Sequence, residues 1–255
     1  MLGRIRSEND WQWVAHGKHP AARDFFSLDR GQPLQRALSE WAEKGYGIFL
    51  SEKGVVPGTA RSWRFWARGV RKHMLVLGLV KDSCDLIGRP YPLFLMGAGT
   101  VKGWEDHWDL MPVACEGIWS QAEYVAARRH RDLEAFKEDL RLLKRPYAKW
   151  PELVKVRDES RQEGLIPEKK PSVAEVLEIE EKAGRLIERG QLLVTLGAQT
   201  FREQSALINL WHFHLKSRLG AIPNAVFMGG GPNQAHLSVF MRALAPADFV
   251  TLWSV

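Results

Sequence analysis

The chain has 255 residues, 45% hydrophobic and 26% charged, which is enough apolar side chain to offset the entropy of ordering and excludes a disordered chain. No run approaches the roughly 20 apolar residues that span a bilayer. The first ten residues lack the apolar stretch of a secretory signal, and two cysteines, Cys84 and Cys115, exclude a disulfide framework or a four-thiolate zinc site, so a reducing cytoplasm is expected.

The first predicted strand runs from Trp11 to Gly17, followed by a polar turn around Lys18–Arg23. Leu34, Ala37, Leu38 and Trp41 recur at helical spacing and predict a helix over 32–44 that stops at Gly45. Strands follow at 62–68 and 74–80, joined by the hairpin-sized Gly69-Val70-Arg71-Lys72. The second is apolar on both faces, with Leu75, Leu77 and Leu79 on one and Met74, Val76 and Val80 on the other. Such a strand needs cover on both sides. A third, Tyr91–Met96, carries Pro92 near its start, where a missing N–H is tolerated.

Residues 112–144 read as one long helix whose stripe contains Ile118, Ala122, Val125, Leu133, Phe136 and Leu140, closed by Pro146. A charge-laced helix is expected over 151–163 and a loose connection over 164–171. A capping box at Ser172 and Glu175 then opens a helix that ends at Gly190. Gln191–Leu196 is a predicted strand, and Thr200 with Glu203 caps a helix ending near Gly220. Ala225–Met228 and His236–Phe240 are short strands, and Ala247–Trp253 is a terminal helical turn or two. The order is mixed α/β, with strands towards both ends and a helical excursion between about 103 and 190. One α/β/α domain with a mixed central sheet is expected.

The net charge is +6, and residues 61–81 account for all of it: Arg61, Arg64, Arg68, Arg71, Lys72 and Lys81 lie there with no acid. A basic segment of this kind attracts nucleic acid, anionic lipid or an acidic protein, and a solvated hairpin rim has the same composition. Of the 11 tryptophans, only Trp63 and Trp66 are interleaved with basic residues, as a stacking platform requires. As a strand, that segment points Trp63 and Phe65 one way and Arg64, Trp66 and Arg68 the other.

Chemistry finds little support. There is no HExxH or CxxC, so no metal and no cofactor are expected. Gly229-Gly230-Gly231-Pro232-Asn233 lacks the Lys-Ser/Thr of a phosphate loop and reads as a turn. No Gly-x-Ser-x-Gly elbow is present, and Ser83 or Cys84 would need a distant base. Residues 81–93 are denser in local function. Ser83 and Asp85 can bond turn amides, Gly88 suits a positive φ, and Arg89 can clamp a carboxylate.

These residues carry a resemblance. The pattern Gly-Lys-x-Pro followed by Asp-Phe is met by Gly17, Lys18, Pro20, Asp24 and Phe25. Trp-Arg-Phe is met by Trp63, Arg64 and Phe65, and Ser-x-Asp-x-x-Gly-Arg-x-x-Pro-Leu by Ser83, Asp85, Gly88, Arg89, Pro92 and Leu93. In order and spacing they resemble the type VI secretion system-associated family TagF, also called ImpM. Asp82 stands where that family usually has proline, and Arg23 where it usually has glycine.

The resemblance implies a three-layer α/β/α sandwich and a non-enzymatic cytoplasmic regulator. That regulator would repress type VI assembly after translation by binding a forkhead-associated scaffold component. The motif residues are then candidates for partner binding, with Arg61, Arg68, Arg71, Lys72 and Lys81 as a basic docking rim. Nucleic-acid binding through 61–81 is the alternative. The Asp24, Asp85 and Arg89 charges are expected to join the N-terminal turn to the central corner.

Overall fold

The computed structural model describes residues 11–28, 31–54, 60–162, 173–197 and 200–255. The expected connection over 164–171 and the Ser172–Glu175 capping box fall outside the residues and side chains described. Strands β1 (Gln12–Gly17), β2 (Phe26–Leu28), β3 (Ser62–Arg68), β4 (Met74–Lys81), β5 (Leu93–Thr100), β6 (Gln191–Leu196), β7 (Ala225–Gly231) and β8 (Gln234–Phe240) form one sheet. Their order is β2-β1-β5-β4-β3-β7-β8-β6. Every pairing is antiparallel, which corrects the expected mixed sheet. A side-chain period of two reports which faces are buried and is silent on strand direction.

The helices are α1 (Pro33–Lys53), α2 (Met111–Ala127), α3 (Leu133–Arg141), α4 (Trp150–Gln162), α5 (Val173–Arg189), α6 (Phe201–Arg218) and α7 (Pro246–Trp253). A 3₁₀ segment, Trp104–Leu110, leads into α2. Among the described residues no helix is long and apolar enough to cross a membrane.

The doubly apolar β4 has the cover it requires. Leu75, Leu77 and Leu79 pack with residues of α2, α3 and α6, including Ile118, Phe136 and Leu215. Val76 and Val80 pack in a separate cluster with Trp41 of α1 and Phe249 and Trp253 of α7. Trp66 on β3 is fully buried among Trp104, Trp108 and His212, with ring centroids 5.8, 6.1 and 6.2 Å away. Its indole N–H donates to His212 Nε2 at 3.3 Å, so His212 is neutral and offers its Nδ1 proton to the Ile208 carbonyl. Burial also holds His212 down at about 4.

The expected strand Tyr91–Met96 is β5 at Leu93–Thr100, with Pro92 just before it, and other element boundaries differ from expectation as well. The stretch 112–144 breaks into α2 and α3 because Arg128 is extended (φ −68°, ψ 139°) and Asp132 caps the Ala135 amide at 2.9 Å. The apolar stripe keeps its phase across the break, which hides it from periodicity. Gly229–Gly231 is strand rather than turn, and the β7–β8 hairpin turns at Pro232 and Asn233.

Helix α1 does not stop at Gly45 but runs on to Lys53. A Cβ at Gly45 would lie 2.3 Å from Phe249 Cβ, so this glycine sets how closely α1 approaches α7. Buried Gln35 ties the other end of α1 to the sheet, its amide donating to the Met96 carbonyl at 2.8 Å.

Gly45 and Gly47 separate helix propensity from packing. Gly47 is exposed, and a methyl group added there would meet nothing within 4 Å, so Gly47→Ala should stabilise by about 0.5–1 kcal/mol. Gly45→Ala gains the same propensity yet must push α7 away, at a cost of about 1–3 kcal/mol. Thermal melts should therefore move in opposite directions for the two variants.

Candidate functional site

β4 ends at Lys81 and β5 begins at Leu93, and the corner between them closes on the loop after β1. Gly17 ends β1 with φ 126°, and a Cβ there would lie 2.0 Å from the Pro92 carbonyl oxygen. The Gly-Lys-x-Pro and Gly-Arg-x-x-Pro-Leu segments therefore meet backbone to backbone, and any larger residue at 17 would separate them. The Leu86 amide donates to the Ala22 carbonyl at 2.8 Å, which joins the same two segments a second time.

Asp85 lies at the centre of the corner and is buried. Its Oδ1 accepts the amides of Ile87 and Arg89 at 3.2 and 2.9 Å, while Oδ2 meets Arg89 Nε at 2.7 Å and Lys18 Nζ at 3.1 Å. Arg89 then reaches Asp24 at 3.2 Å and the Arg23 carbonyl at 2.9 Å. Burial alone would raise the Asp85 carboxyl. The Arg89 amide and the Lys18 and Arg89 side chains outweigh it and hold the group down at about 2. Gly88, with φ 84°, closes the turn, its amide donating to the Asp85 carbonyl. Ser83 contributes its backbone carbonyl, which accepts the Tyr91 amide at 3.0 Å.

The corner's charges are thus engaged with one another, and its apolar tip is not covered. Leu86 is 59% and Ile87 70% exposed. Beside the β1–β2 loop, Phe25 is 42% exposed, with its ring edge-on to His16 and Tyr91. Pro20 is exposed as well.

The Trp-Arg-Phe segment does not join this corner. Trp63 and Phe65 are fully buried towards α1 and α7. Arg64 emerges on the opposite face, where Nε and one terminal nitrogen grip both oxygens of Glu123 at 2.7 and 2.8 Å, and the other meets Glu116 at 2.8 Å. Phe201 lies 5.1 Å from the guanidinium carbon, against the same Arg64. This clamp forms one wall of a cleft of about 750 Å³ between β3, α2, α6 and the Gly229–Gly231 strand. Among the described residues no group of three or more His, Cys, Asp or Glu side chains is placed to hold a metal.

A scan against protein families matches residues 14–143 to the TagF N-terminal domain, type VI secretion system-associated. The chain belongs to the TagF family. The likeness in fold runs beyond that span: the crystal structure of PA0076 from Pseudomonas aeruginosa PAO1 is similar over 94% of this chain and 93% of its own, with a TM-score of 0.53 and 18% identity. No curated protein matches the chain. Within the TagF segment the motifs divide by position: Gly17, Lys18, Asp85, Gly88, Arg89 and Pro92 converge on the corner, whereas Trp63 and Phe65 are core.

The basic residues do not form one surface. Arg68, Arg71 and Lys72 are exposed around the β3–β4 hairpin, while Arg61 and Lys81 sit at the other end of the same two strands. Arg61 is buried against Phe49 and paired with Asp82. A summed charge is blind to this, because a hairpin folds one basic segment onto both ends of the sheet.

Several contacts of the motif residues and their neighbours had no sequence signal. Glu116 and Glu123 are 52 and 59 residues from Arg64. Asp82, the departure from the family's proline, accepts the Arg61 amide at 2.9 Å and the Trp253 indole N–H at 3.0 Å. It anchors the last turn of α7 to the entrance of the corner, a contact that proline could not make.

Asp85 sets the expected acid response of this protein. A carboxyl depressed in the folded state stabilises above its unfolded value of about 4, and that stabilisation is lost as pH falls towards 2. Asp85→Asn should lower the melting temperature at pH 7 and flatten its decline between pH 4 and pH 2. Arg89→Ala should lower it at pH 7 as well, by removing one cation from a buried carboxylate. Melts recorded across that pH range check both.

Proposed function

We propose that this chain is a non-enzymatic cytoplasmic regulator that represses the type VI secretion system after translation, by binding its forkhead-associated scaffold component. Membership of a type VI-associated family supports the system. The observation that carries a binding role is the corner itself: an interlocked set of charges holds Leu86 and Ile87 out in solvent at 59% and 70% exposure. Exposed apolar side chains on a rigid turn lose little conformational freedom on association. Such residues mark an interaction site when they are grouped, and Phe25 extends the group across the neighbouring loop.

The other readings have less support. Nucleic-acid binding requires a continuous basic stripe, and here the basic side chains lie at opposite ends of β3 and β4 with Arg61 buried. For hydrolysis, Ser83 and Cys84 are held in the corner through their backbones, Ser83 accepting the Tyr91 amide and Cys84 paired with Pro90, and the neighbouring Asp85 is engaged by Lys18 and Arg89 rather than placed as a base.

Co-purification with the forkhead-associated component of the same bacterium tests the proposal. Wild type should form a complex at micromolar concentration and lower secretion when overproduced. Leu86→Asp with Ile87→Asp should abolish capture while leaving the melting temperature within a few degrees, because both side chains face solvent. No complex with wild type, together with unchanged secretion after deletion, overturns it.

A further inference from the structure

The helical excursion holds a second surface. Between the C-terminal half of α2 and the end of α3 lies a groove of about 560 Å³, its walls formed by Tyr124, Val125, Arg128, Leu142, Leu143 and Lys144. Tyr124 on α2 is 65% and Leu142, just past α3, 73% exposed, while Ile118, Trp119, Ala122, Phe136 and Leu140 of the same two helices are buried. The core does not use these two large side chains.

Arg128 and Lys144 line the groove, and the segments that follow its two helices are rich in basic residues. Arg128, Arg129 and Arg131 follow the end of α2, and Arg141, Lys144 and Arg145 follow or close α3; all six are exposed. The acid inside the groove, Asp139, is already held by Arg128 at 2.7 Å and by His130 at 3.0 Å. The turn that supplies these groups also borders the corner described above. His130 packs its ring 5.3 Å from His19, which sits between Lys18 and Pro20. The turn after α2 and the loop after β1 therefore touch through one buried contact.

We propose that the α2–α3 groove seats an acidic segment of a protein partner. Tyr124 and Leu142 take an apolar anchor residue, and the surrounding arginines and lysine take its carboxylates. Tyrosine and arginine exposed at a concave site match the composition of protein interfaces. A nucleic acid is the poorer fit, since Asp132, Glu138 and Asp139 interrupt the basic residues where a phosphate backbone would need to run unbroken. The proposal rests on the partner-binding reading above and names a surface and a partner chemistry for it.

The probe is a fluorescein-labelled peptide carrying a Leu-Phe pair flanked by aspartates and glutamates, titrated by anisotropy at low and high salt. Wild type should bind it saturably and less tightly as salt rises. Leu142→Asp, and separately Arg141→Glu with Lys144→Glu, should weaken binding about tenfold or more, as loss of an interface anchor does. Unchanged melting temperatures would confirm that these exposed positions leave the fold intact. The same peptide with lysines in place of its acids should not bind.

Absence of saturable binding, or binding that both variants leave unchanged, overturns the proposal. So does a DNA oligonucleotide that binds as tightly and is lost in the same variants. The forkhead-associated component separates the two readings. If it binds wild type and Leu142→Asp equally, the groove assignment fails and the proposed function stands. If it binds neither while the peptide binds wild type alone, the groove stands and that partner is wrong.

Discussion

A strand that is apolar on both faces has to be enclosed, and β4 imposes that condition on the whole molecule. Its leucines and valines divide the interior into two clusters, one beneath α2, α3 and α6 and the other beneath α1 and α7. Burying such side chains is worth about 1.5–3 kcal/mol each, so leaving either face of β4 open would cost a large part of the about 5–15 kcal/mol that a domain usually has in reserve. The flanking strands inherit the same condition: β5 is buried along almost its whole length, and β3 sends Trp66 to one cluster and Trp63 and Phe65 to the other. The corner at the end of β4 can hold a strict geometry because both strands entering it are fixed on two sides.

At that corner the organising group is a carboxylate rather than a side chain of the core. Asp85 gathers two amides and two cations, and Arg89 carries the connection on to Asp24 and the Arg23 carbonyl. A buried charge persists only when its partners are all present, so the turn and the β1–β2 loop hold each other in place. Packing is complete beneath the turn and absent above it, at Leu86 and Ile87. The same contrast recurs on the α2–α3 side, where Tyr124 and Leu142 stand exposed beside the buried Ile118, Trp119, Phe136 and Leu140.

Periodicity made β4 legible from the sequence, and with it the need for helices on both sides. Motif spacing made the corner legible, including the link among Asp24, Asp85 and Arg89. Strand direction was not, since alternation is the same in parallel and antiparallel ladders. Gly45 reads as a helix stop because its value lies in a contact with Phe249, some 200 residues away. The break before α3 does carry a local signal, Asp132 ahead of Leu133, but a stripe in phase on both sides conceals it. The long-range partners Glu116, Glu123 and Trp253 leave no trace, because nothing local in a sequence marks a pair that only folding brings together.

The strand order has a practical corollary for anyone dividing this chain. β3 lies inside the span that matches the family, yet its neighbour on one side is β7, from near the other end of the chain, paired from Ser62 to Ala67. A fragment ending at residue 143 would therefore strip β3 of a hydrogen-bonding partner and lay bare Trp63, Phe65 and Trp66 along a raw sheet edge, which is a template for aggregation. Deletion mapping of the binding surface by truncation would report insolubility rather than lost contact, and point substitutions in the intact chain are the sounder instrument.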